Sequence, residues 1–350
     1  MYKQTITFND VLLEPQYSDI TSRKEVSLST PLDSLRKLKI PIIASPMDTV
    51  SEWRMASSLS SMGGMAIIHR YNSIEEQANQ VKKVLEEANK PPVDYPASFT
   101  PVVGAAVGVS GDFVERASRC YEAGAKVICI DVAHGDHAMV KTAIASLREQ
   151  LGMFIHIMAG NVATLEGFNR LADWGADSIR VGIGGGSICS TRIQTGHGVP
   201  TLQSVIDCAQ TDRDAILIAD GGIKNSGDIV KALAAGADAV MLGSLLAGTD
   251  ETPSETFRDR DGRCFKAYRG MASAEAQKAW RGKTSSLEGV STTIPCKGSV
   301  KNVVEELLTG VRSGLSYSGA RDIPELRSKA KFILQSHAAS IESSTHILRR

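Results

Sequence analysis

The sequence predicts an α/β fold, a single (β/α)8 TIM barrel over residues 1–350 with a finger or flap insertion near the C-terminus. Three segments repeat one pattern, a helical stretch that ends in Gly-Ala and leads into a short β-branched run: 121–131, 173–182 and 234–243. The glycines of these joints stand where a helix ends, a place at which only glycine adopts the left-handed conformation at low cost. The pattern is therefore a repeated α-to-β joint.

Five further apolar runs follow Pro41, Gly64, Pro101, Gly152 and Asp214. With the three joints they make about eight strands alternating with helix-length polar segments, which is typical of a parallel sheet covered by helices. A doubly wound open sheet is the alternative, but about eight regular repeats favour closure into a barrel. The length of 350 residues lies within the range of roughly 200–400 residues of one such barrel.

The segment 250–300 breaks this rhythm with polar, glycine-containing stretches (DETPSETFRDRDGR and RGKTSSLEGV). A stretch of this composition is not expected in the core. We therefore predict a finger or lid over the site at about 250–300.

Composition excludes several classes of partner. Lys plus Arg and Asp plus Glu both total 39, so no net field favours nucleic acid or an anionic membrane. The first twenty residues contain Asp10, Glu14 and Asp19 and lack the pattern of a signal peptide. No apolar stretch approaches the ~18–20 residues that span a bilayer. We expect a cytoplasmic protein that captures any anionic ligand locally.

The six cysteines show no CxxC spacing, and we do not expect a disulfide framework. Most free cysteines are inert and buried. The flanking sequence has to distinguish a reactive one.

Two glycine turns follow the seventh and eighth predicted strands, Asp220-Gly221-Gly222 and Leu242-Gly243-Ser244. Barrels of this kind often bind phosphate there through backbone N–H groups. The glycines alone are equally consistent with tight turns. Two such turns on adjacent strands, with Ser187 on the preceding loop, favour a phosphate site.

The segment VGIGGGSICSTR (181–192) is the densest motif. Its glycines leave a loop held by backbone groups, whose carbonyls are suited to ring a cation while the N–H groups face a ligand. Cys189 on this loop is a better thiolate candidate than Cys129, which lies inside a strand. Thr191 and Glu288 are candidate proton carriers, although the sequence alone does not place them together.

The histidines suggest no metal site. His134, His137 and His156 lack metal-ligand spacing with nearby acids. His197 lies between two glycines, where a turn residue is expected more than a proton shuttle. The polar stretch 337–350 suggests a loose tail without chemistry.

The motif GIGGGSICSTR strongly resembles the active-site loop of the IMP dehydrogenase and GMP reductase family. The resemblance covers nearly the whole chain, because further motifs stand in their expected order: TFNDVLLEP (7–15), SPMDTVSE (45–52), GGMAIIHRYNSIEEQ (63–77), DVAHGD (131–136), AGNVAT (159–164), ADGGI (219–223), MLGSLLAG (241–248) and YRGMAS (268–273). One departure is Ser190, where the family usually has Thr.

The resemblance implies that Cys189 forms a covalent adduct at C2 of a purine nucleoside monophosphate, with Thr191 and Glu288 as catalytic partners. It assigns the phosphate to Ser187, Gly222, Gly243 and Ser244, the ribose to Asp220, and the base to Met271 and Glu288. Further substrate-binding residues that it implies are Ser45, Met47, Gly221, Tyr268 and Gly270. It further implies that Asp131, Asn161 and Arg180 bind the nicotinamide cofactor. The carbonyls of Gly184, Gly186 and Cys189 would bind a monovalent cation, K⁺.

The family contains two reactions, and the sequence favours GMP reductase, which converts GMP and NADPH to IMP and ammonia. Dehydrogenases hydrolyse the adduct with a mobile flap that carries an adjacent Arg-Tyr pair. The interval from Gly270 to Glu288 is short and offers only Trp280-Arg281. A Pro-rich link (90–101) also stands where dehydrogenases usually carry a pair of regulatory repeats.

The alternative is IMP dehydrogenase, which makes XMP from IMP, NAD and water. SPMDTVSE, HRYNSIEEQ and YRGMAS resemble the dehydrogenase forms of these motifs more closely. A non-catalytic nucleotide-binding barrel is a third hypothesis, disfavoured by the joint presence of Cys189, Thr191 and Glu288. The resemblance also implies a homotetramer.

Overall fold

The computed structural model describes residues 2–89, 101–284, 288–343 and 345. Two short 3-10 helices, Phe8–Asp10 and Arg23–Glu25, lie near the N-terminus. The strands are β1 (Val11–Leu13), β2 (Thr30–Pro31), β3 (Lys37–Leu38), β4 (Ile42–Ala44), β5 (Met65–Ile68), β6 (Val103–Val107), β7 (Val127–Asp131), β8 (His156–Val162), β9 (Ser178–Val181), β10 (Ile216–Asp220), β11 (Ala239–Leu242), β12 (Thr256–Arg258), β13 (Cys264–Arg269), β14 (Ser291–Pro295) and β15 (Phe332–Leu334).

The helices between and after these strands are α1 (Trp53–Ser61), α2 (Ile74–Ala88), α3 (Phe113–Glu122), α4 (Ala138–Leu151), α5 (Leu165–Asp173), α6 (Thr191–Thr195), α7 (Thr201–Cys208), α8 (Ser226–Ala234), α9 (Ala274–Arg281), α10 (Val300–Tyr317), α11 (Ile323–Lys329) and α12 (His337–Glu342).

Strands β4 to β11 form a closed barrel in chain order, with parallel pairing throughout and β11 joined to β4. Each coincides with one of the eight predicted apolar runs. Gly124, Gly175 and Gly236 take φ values of 110°, 102° and 119°, as the Gly-Ala joints require. The prediction of a (β/α)8 barrel is confirmed.

Helix α10 shows how the outer layer is built. Its N-cap Ser299 accepts a hydrogen bond from the Lys301 N–H at 3.2 Å, which satisfies one of the free donors of the first turn. Val304, Val311 and Leu315 recur on one face and are fully buried. This apolar stripe packs α10 against α8 and α1.

The barrel interior is a separate apolar cluster that includes Ile43, Ile67 and Met158. Leu32 and Leu38, from the hairpin of β2 and β3, join the same cluster. The hairpin therefore closes one end of the barrel, and the carboxyl ends of the strands are left for the site.

The insertion predicted at about 250–300 lies between β11 and α10. It holds helix α9 and a three-stranded antiparallel sheet, β12-β13-β14, which we call the finger. Cys264 and Cys296 form a disulfide across this sheet, 32 residues apart in sequence. The sequence analysis expected no disulfide framework and did not foresee this pair, because strand pairing brings together two residues that sequence spacing does not relate.

The terminal segments are more ordered than the sequence suggested. β1 and β15 pair as antiparallel strands, and residues 337–342 form α12 where a loose tail was expected. Residues 344 and 346–350 of that tail, and residues 90–100 of the Pro-rich link, lie outside the described residues. No helix among the described residues has the length and hydropathy that crossing a membrane requires.

Candidate active site

A cavity of about 460 Å³ opens at the carboxyl ends of the barrel strands. Every residue that the sequence analysis assigned to substrate, cofactor, cation or catalysis lines this cavity. The fold thus brings the whole predicted set together in one place.

Three side chains form a hydrogen-bonded chain at the mouth of the cavity. The Cys189 thiol donates to Oγ1 of Thr191 at 3.1 Å, and the Thr191 hydroxyl donates to Oε2 of Glu288 at 2.8 Å. We call this the Cys-Thr-Glu chain. It gives a proton a short path between a carboxylate and the space above the sulfur.

The backbone explains why Glu288 reaches this position. The Ser190 N–H donates to the Glu288 carbonyl at 3.0 Å, and the Val290 N–H donates to the Ile188 carbonyl at 3.0 Å. These bonds pair the cysteine loop with the segment that precedes β14. Sequence reasoning could not place them because the two segments are far apart along the chain.

The other free cysteines are unsuited to nucleophilic chemistry. Burial raises the pKa of Cys120, Cys129 and Cys208 to about 12, which keeps them protonated as thiols at neutral pH. Cys189 is partly exposed and lines the cavity. Among the described free cysteines, it is the one placed to meet a ligand.

Arg180 links two acidic residues of the cavity lining, Asp131 and Asp220. Its guanidinium donates to Oδ1 of Asp131 at 2.6 Å and to Oδ2 of Asp220 at 2.9 Å. Burial alone would lower the pKa of Arg180, but the two carboxylates outweigh it and raise that pKa well above its usual value. The side chain is 7 % exposed, so its donors face the two carboxylates. This geometry indicates that Arg180 positions the two carboxylates. It gives less support to the direct cofactor contact that the sequence analysis assigned to Arg180.

Asp220 receives a further hydrogen bond from Nδ2 of Asn161 at 2.8 Å. The bonds from Asn161 and from Arg180 all fall on Oδ2. Oδ1 receives none of them. The carboxylate is thereby held in one orientation at the end of β10.

The glycine turns after β9 and β10 pack backbone against backbone. Gly221 and Gly222 take φ values of 87° and 78°, which L side chains rarely adopt. A side chain at Gly182 would collide with the Asp220 carbonyl, and one at Gly185 with the Thr201 hydroxyl. Glycine is required here for close approach as well as for turning.

The glycine turn after β11, which contains Gly243, lies beside hydroxyl groups. A Cβ on Gly243 would come within 3.1 Å of Ser45 Oγ and 3.3 Å of the Tyr268 hydroxyl. The Tyr268 hydroxyl is also 3.3 Å from Ser187 Oγ. Burial raises the pKa of Tyr268, so it remains a neutral donor. Together these groups form a pocket suited to an oxyanion.

Two buried polar atoms in the cavity wall lack hydrogen-bond partners among the described residues, Ser45 Oγ and Arg70 Nε. Buried polar groups are normally satisfied. A bound ligand or water would supply the missing partners.

Three polar side chains that line the cavity were given no role from the sequence, those of Arg70, Tyr71 and Gln277. The Tyr71 hydroxyl donates to the Met271 carbonyl at 2.9 Å, and its ring stacks on Trp280 with centroids 5.8 Å apart. The position of Arg70 and Tyr71 just after a barrel strand was a usable signal. No comparable signal marked Gln277, whose placement depends on how α9 docks.

Three of the four histidines considered in the sequence analysis have hydrogen-bond partners within the fold. His137 caps α4 by accepting from the Met139 N–H at 3.1 Å, and Nδ1 of His197 lies 2.7 Å from the Thr195 carbonyl oxygen within a turn. His156 bonds to Asp33 and Ser178 away from the cavity. Among the described residues, no group of three or more His, Cys, Asp or Glu side chains is arranged to hold a metal ion.

Comparison with known proteins agrees with this site. The family model described as "IMP dehydrogenase / GMP reductase domain" matches residues 5–346. The chain belongs to this family. The family's members are oxidoreductases, and so is this chain.

The relatives include both named activities. Inosine-5'-monophosphate dehydrogenase of Nitrosopumilus maritimus is 36% identical, with 99% of this chain and 98% of the relative covered. GMP reductase of Leishmania major is 34% identical, with 97% and 96% covered. A solved structure of a GMP reductase variant from Trypanosoma brucei, in complex with guanosine 5'-monophosphate, superposes with a TM-score of 0.92 at 32% identity, with 99% and 98% covered.

The alignments also correct one argument from the sequence. They run over 473 and 475 positions, whereas this chain has 350 residues, so both relatives carry insertions that it lacks. One of those relatives is named a reductase. The absence of a long insertion therefore does not distinguish a reductase from a dehydrogenase.

Proposed function

We propose that this chain is a GMP reductase, which converts GMP and NADPH to IMP, ammonia and NADP⁺. The observation that carries the proposal is the Cys-Thr-Glu chain in the cavity, with bonds of 3.1 and 2.8 Å. It supplies a nucleophile and a proton carrier side by side. Removal of an amino group from a purine requires both.

The nucleotide is proposed to bind by its phosphate at the turns of Gly221-Gly222 and Gly243-Ser244, beside Ser187 and Tyr268. Backbone N–H groups and neutral hydroxyls suit an oxyanion. Asp220, held in one orientation through Oδ2, accepts hydrogen bonds from the ribose hydroxyls. The base then lies toward Met271 and Cys189, with Ser45, Met47 and Gly270 completing the pocket.

The chemistry proposed for this chain has two parts. The Cys189 thiol passes its proton through Thr191 to the Glu288 carboxylate, and the resulting thiolate adds to C2 of GMP. Glu288 then returns this proton through Thr191 to the 2-amino group, and the bond from C2 to that nitrogen breaks as ammonia leaves. After C2 has been reduced, the Cys189 sulfur leaves with the pair of electrons of its bond to C2, and IMP is free to depart.

Bound NADPH would supply the hydride that reduces C2. The residues proposed to hold it are Asp131, Asn161 and Arg70 on one wall of the cavity. The donor set fits such a group, because Arg70 Nε is buried there without a hydrogen-bond partner among the described residues. Arg180 acts on this wall indirectly, since it orients Asp131.

The segment between Gly270 and Glu288 favours the reductase. It contains no adjacent Arg-Tyr pair, and its helix α9 docks on the barrel through Trp280, which stacks on Tyr71 and lies 5.7 Å from the Arg116 guanidinium. A docked helix without that base suits a reaction that needs no activated water. Residues 285–287 and the Arg281 side chain lie outside the described structure.

IMP dehydrogenase is the second candidate, favoured by the names of several relatives at 35–36% identity. Its reaction would use NAD and water to make XMP. The same nucleotide pocket and Cys189 serve either reaction, so the two differ in the fate of the covalent adduct.

K⁺ at the carbonyls of Gly184, Gly186 and Cys189 remains a prediction. Backbone carbonyl oxygens are suitable ligands for such a cation, and the Gly186 carbonyl accepts the Cys189 N–H at 3.1 Å, which couples the loop to the nucleophile. The homotetramer and the cytoplasmic location also remain predictions. Light scattering on the purified protein tests the predicted homotetramer.

A paired assay tests the proposed function. The purified protein is offered GMP with NADPH, GMP with NADH, IMP with NAD and IMP with NADP, and nicotinamide absorbance is followed. We expect steady oxidation of NADPH with GMP. Sustained reduction of NAD with IMP, together with inertness toward GMP, would overturn the proposal in favour of the dehydrogenase.

A further inference from the structure

A single helical turn follows β11 at the glycine turn proposed to bind phosphate. The N–H groups of Leu246 and Ala247 donate to the Gly243 carbonyl at 3.1 and 2.9 Å. The next two carbonyls, those of Ser244 and Leu245, lie at the far end of this turn. They need donors from elsewhere because the helix does not continue.

Lys297, two residues after the end of β14 of the finger, provides them. Its Nζ donates to the Ser244 carbonyl at 2.7 Å and to the Leu245 carbonyl at 3.0 Å. A lysine at the end of a helical turn satisfies free carbonyls and opposes their partial negative charge. The finger therefore holds the turn after β11 directly.

The backbone around Lys297 is itself fixed. Its N–H donates to the Gly248 carbonyl at 2.9 Å, and the preceding residue, Cys296, is joined to Cys264 by the disulfide. The ammonium is thus presented at a defined place, and Lys297 is not among the residues that line the cavity.

The charge of Lys297 is uncompensated within the described structure. None of the described carboxylates lies within 4.0 Å of its Nζ, and partial burial lowers its pKa. A partly buried cation without a counter-ion is costly. Such a group is expected to gain a counter-ion when the protein binds its ligand.

Lys266 on β13 offers an internal comparison. Its Nζ also donates to backbone carbonyls of the segment between β11 and β12, those of Thr249 and Thr252, at 2.9 and 3.0 Å. The carboxylates of Asp250 and Glu251 act on it electrostatically, and it does not touch Ser244. Lys266 therefore stabilises the segment between β11 and β12 without contacting the turn of Gly243 and Ser244.

We infer that Lys297 is a positioning residue for the phosphate of the substrate: it fixes the turn of Gly243 and Ser244 from behind, and its charge is balanced by the phosphate. This inference rests on the proposed function, because it takes that turn as the phosphate site. Lys297 itself does not line the cavity and is not expected to touch the nucleotide.

The test compares Lys297→Met with Lys266→Met, using GMP and guanosine as ligands and calorimetry as the measurement. Loss of Lys297 should weaken GMP binding by about tenfold or more, because the turn loses the two hydrogen bonds that fix it and the phosphate loses a nearby positive charge. Guanosine, which has no phosphate, should bind as it does to the wild type. Lys266→Met should leave the ratio of GMP to guanosine affinity unchanged, even where it lowers thermal stability.

Steady-state kinetics provide the second measurement. Lys297→Met should raise the KM for GMP and leave kcat at saturating GMP nearly unchanged, since chemistry at C2 is remote from the turn. Should this variant not fold, Lys297→Gln, which retains a hydrogen-bond donor without the charge, takes its place.

Equal losses for GMP and guanosine, or no loss for GMP, would overturn the inference. The inference would also be overturned if Lys266→Met changed the ratio of GMP to guanosine affinity as much as Lys297→Met does. A wild type that binds neither ligand would instead count against the proposed function, so the two failures are distinguishable.

Discussion

Thr191 donates a 2.8 Å hydrogen bond to Glu288 across 97 residues of sequence, and the same Thr191 hydroxyl accepts from the Cys189 thiol. The contact joins the glycine-rich loop after β9 to the segment that precedes β14. It places a proton source beside a nucleophile. Substitution at either end of this chain should therefore impair chemistry more than nucleotide binding.

Replacement of Cys189 by alanine should abolish turnover, because no other described group in the cavity is placed to form the adduct at C2. GMP affinity should stay within about tenfold of wild type, or about 1.4 kcal/mol, since the phosphate and ribose contacts are untouched. Activity assays and calorimetry check this. Cys208→Ala, at a buried cysteine, is the matched control and should retain activity. Substantial residual turnover in Cys189→Ala would show that Cys189 is not the nucleophile that adds to C2.

Glu288→Gln should lower kcat for GMP reduction by about 10²–10⁴-fold, the usual scale of general acid catalysis, while GMP binding is largely kept. Glutamine preserves the shape and the hydrogen bond but cannot deliver the proton. Glu305→Gln, on the exposed face of α10, controls for the change of residue type. A Glu288→Gln enzyme with wild-type kcat would show that the amine obtains its proton elsewhere.

Arg180→Ala should lower the free energy of unfolding, by up to about 3 kcal/mol, because it leaves the partly buried carboxylates of Asp131 and Asp220 without the buried cation that joins them. Urea denaturation measures this. Arg213→Ala, which breaks an ion pair of 3.0 Å with Asp173 at the surface, should change stability little. A stable Arg180→Ala protein that has lost only cofactor affinity would restore the direct cofactor role predicted from the sequence.

Asp33 should make stability depend on pH in acid. Burial alone would raise the pKa of its carboxyl, but hydrogen bonds from His156, the Leu35 N–H and Arg36 hold that pKa well below the usual value. A depressed pKa contributes stability above the unfolded value of about 3.9, and this stability is lost as pH falls toward the folded value.

Asp33→Asn should therefore be less stable than wild type at neutral pH, and the difference should narrow as pH falls below about 4. Denaturation curves at several pH values measure it. A difference that stayed constant through acid would mean that the Asp33 charge does not stabilise the fold.

The barrel was predictable from the sequence because buried parallel strands leave a strong local pattern. Each Gly-Ala joint combines a left-handed glycine, such as Gly236 at φ 119°, with the apolar run after it. The location of the site was predictable from position alone, since residues after parallel strands meet at one end of a barrel. The two candidate proton carriers, Thr191 and Glu288, were named without any means of placing them together.

The remaining features depend on contacts that no local pattern encodes. The Cys264–Cys296 disulfide results from the pairing of β13 with β14, and the place of Lys297 behind Ser244 depends on how the finger docks. Arg180 is a similar case. Its position in a strand beside the site suggested a ligand contact, whereas its two carboxylate partners come from β7 and β10.

The fate of the purine 2-amino group separates the reductase from the dehydrogenase. GMP labelled with heavy nitrogen at that group is incubated with the wild type and NADPH, and ammonium, IMP and oxidised cofactor are quantified together. We expect one labelled ammonium and one IMP for each NADPH consumed. Failure to release labelled ammonium from GMP, together with steady production of XMP from IMP and NAD, would contradict the assignment as a GMP reductase.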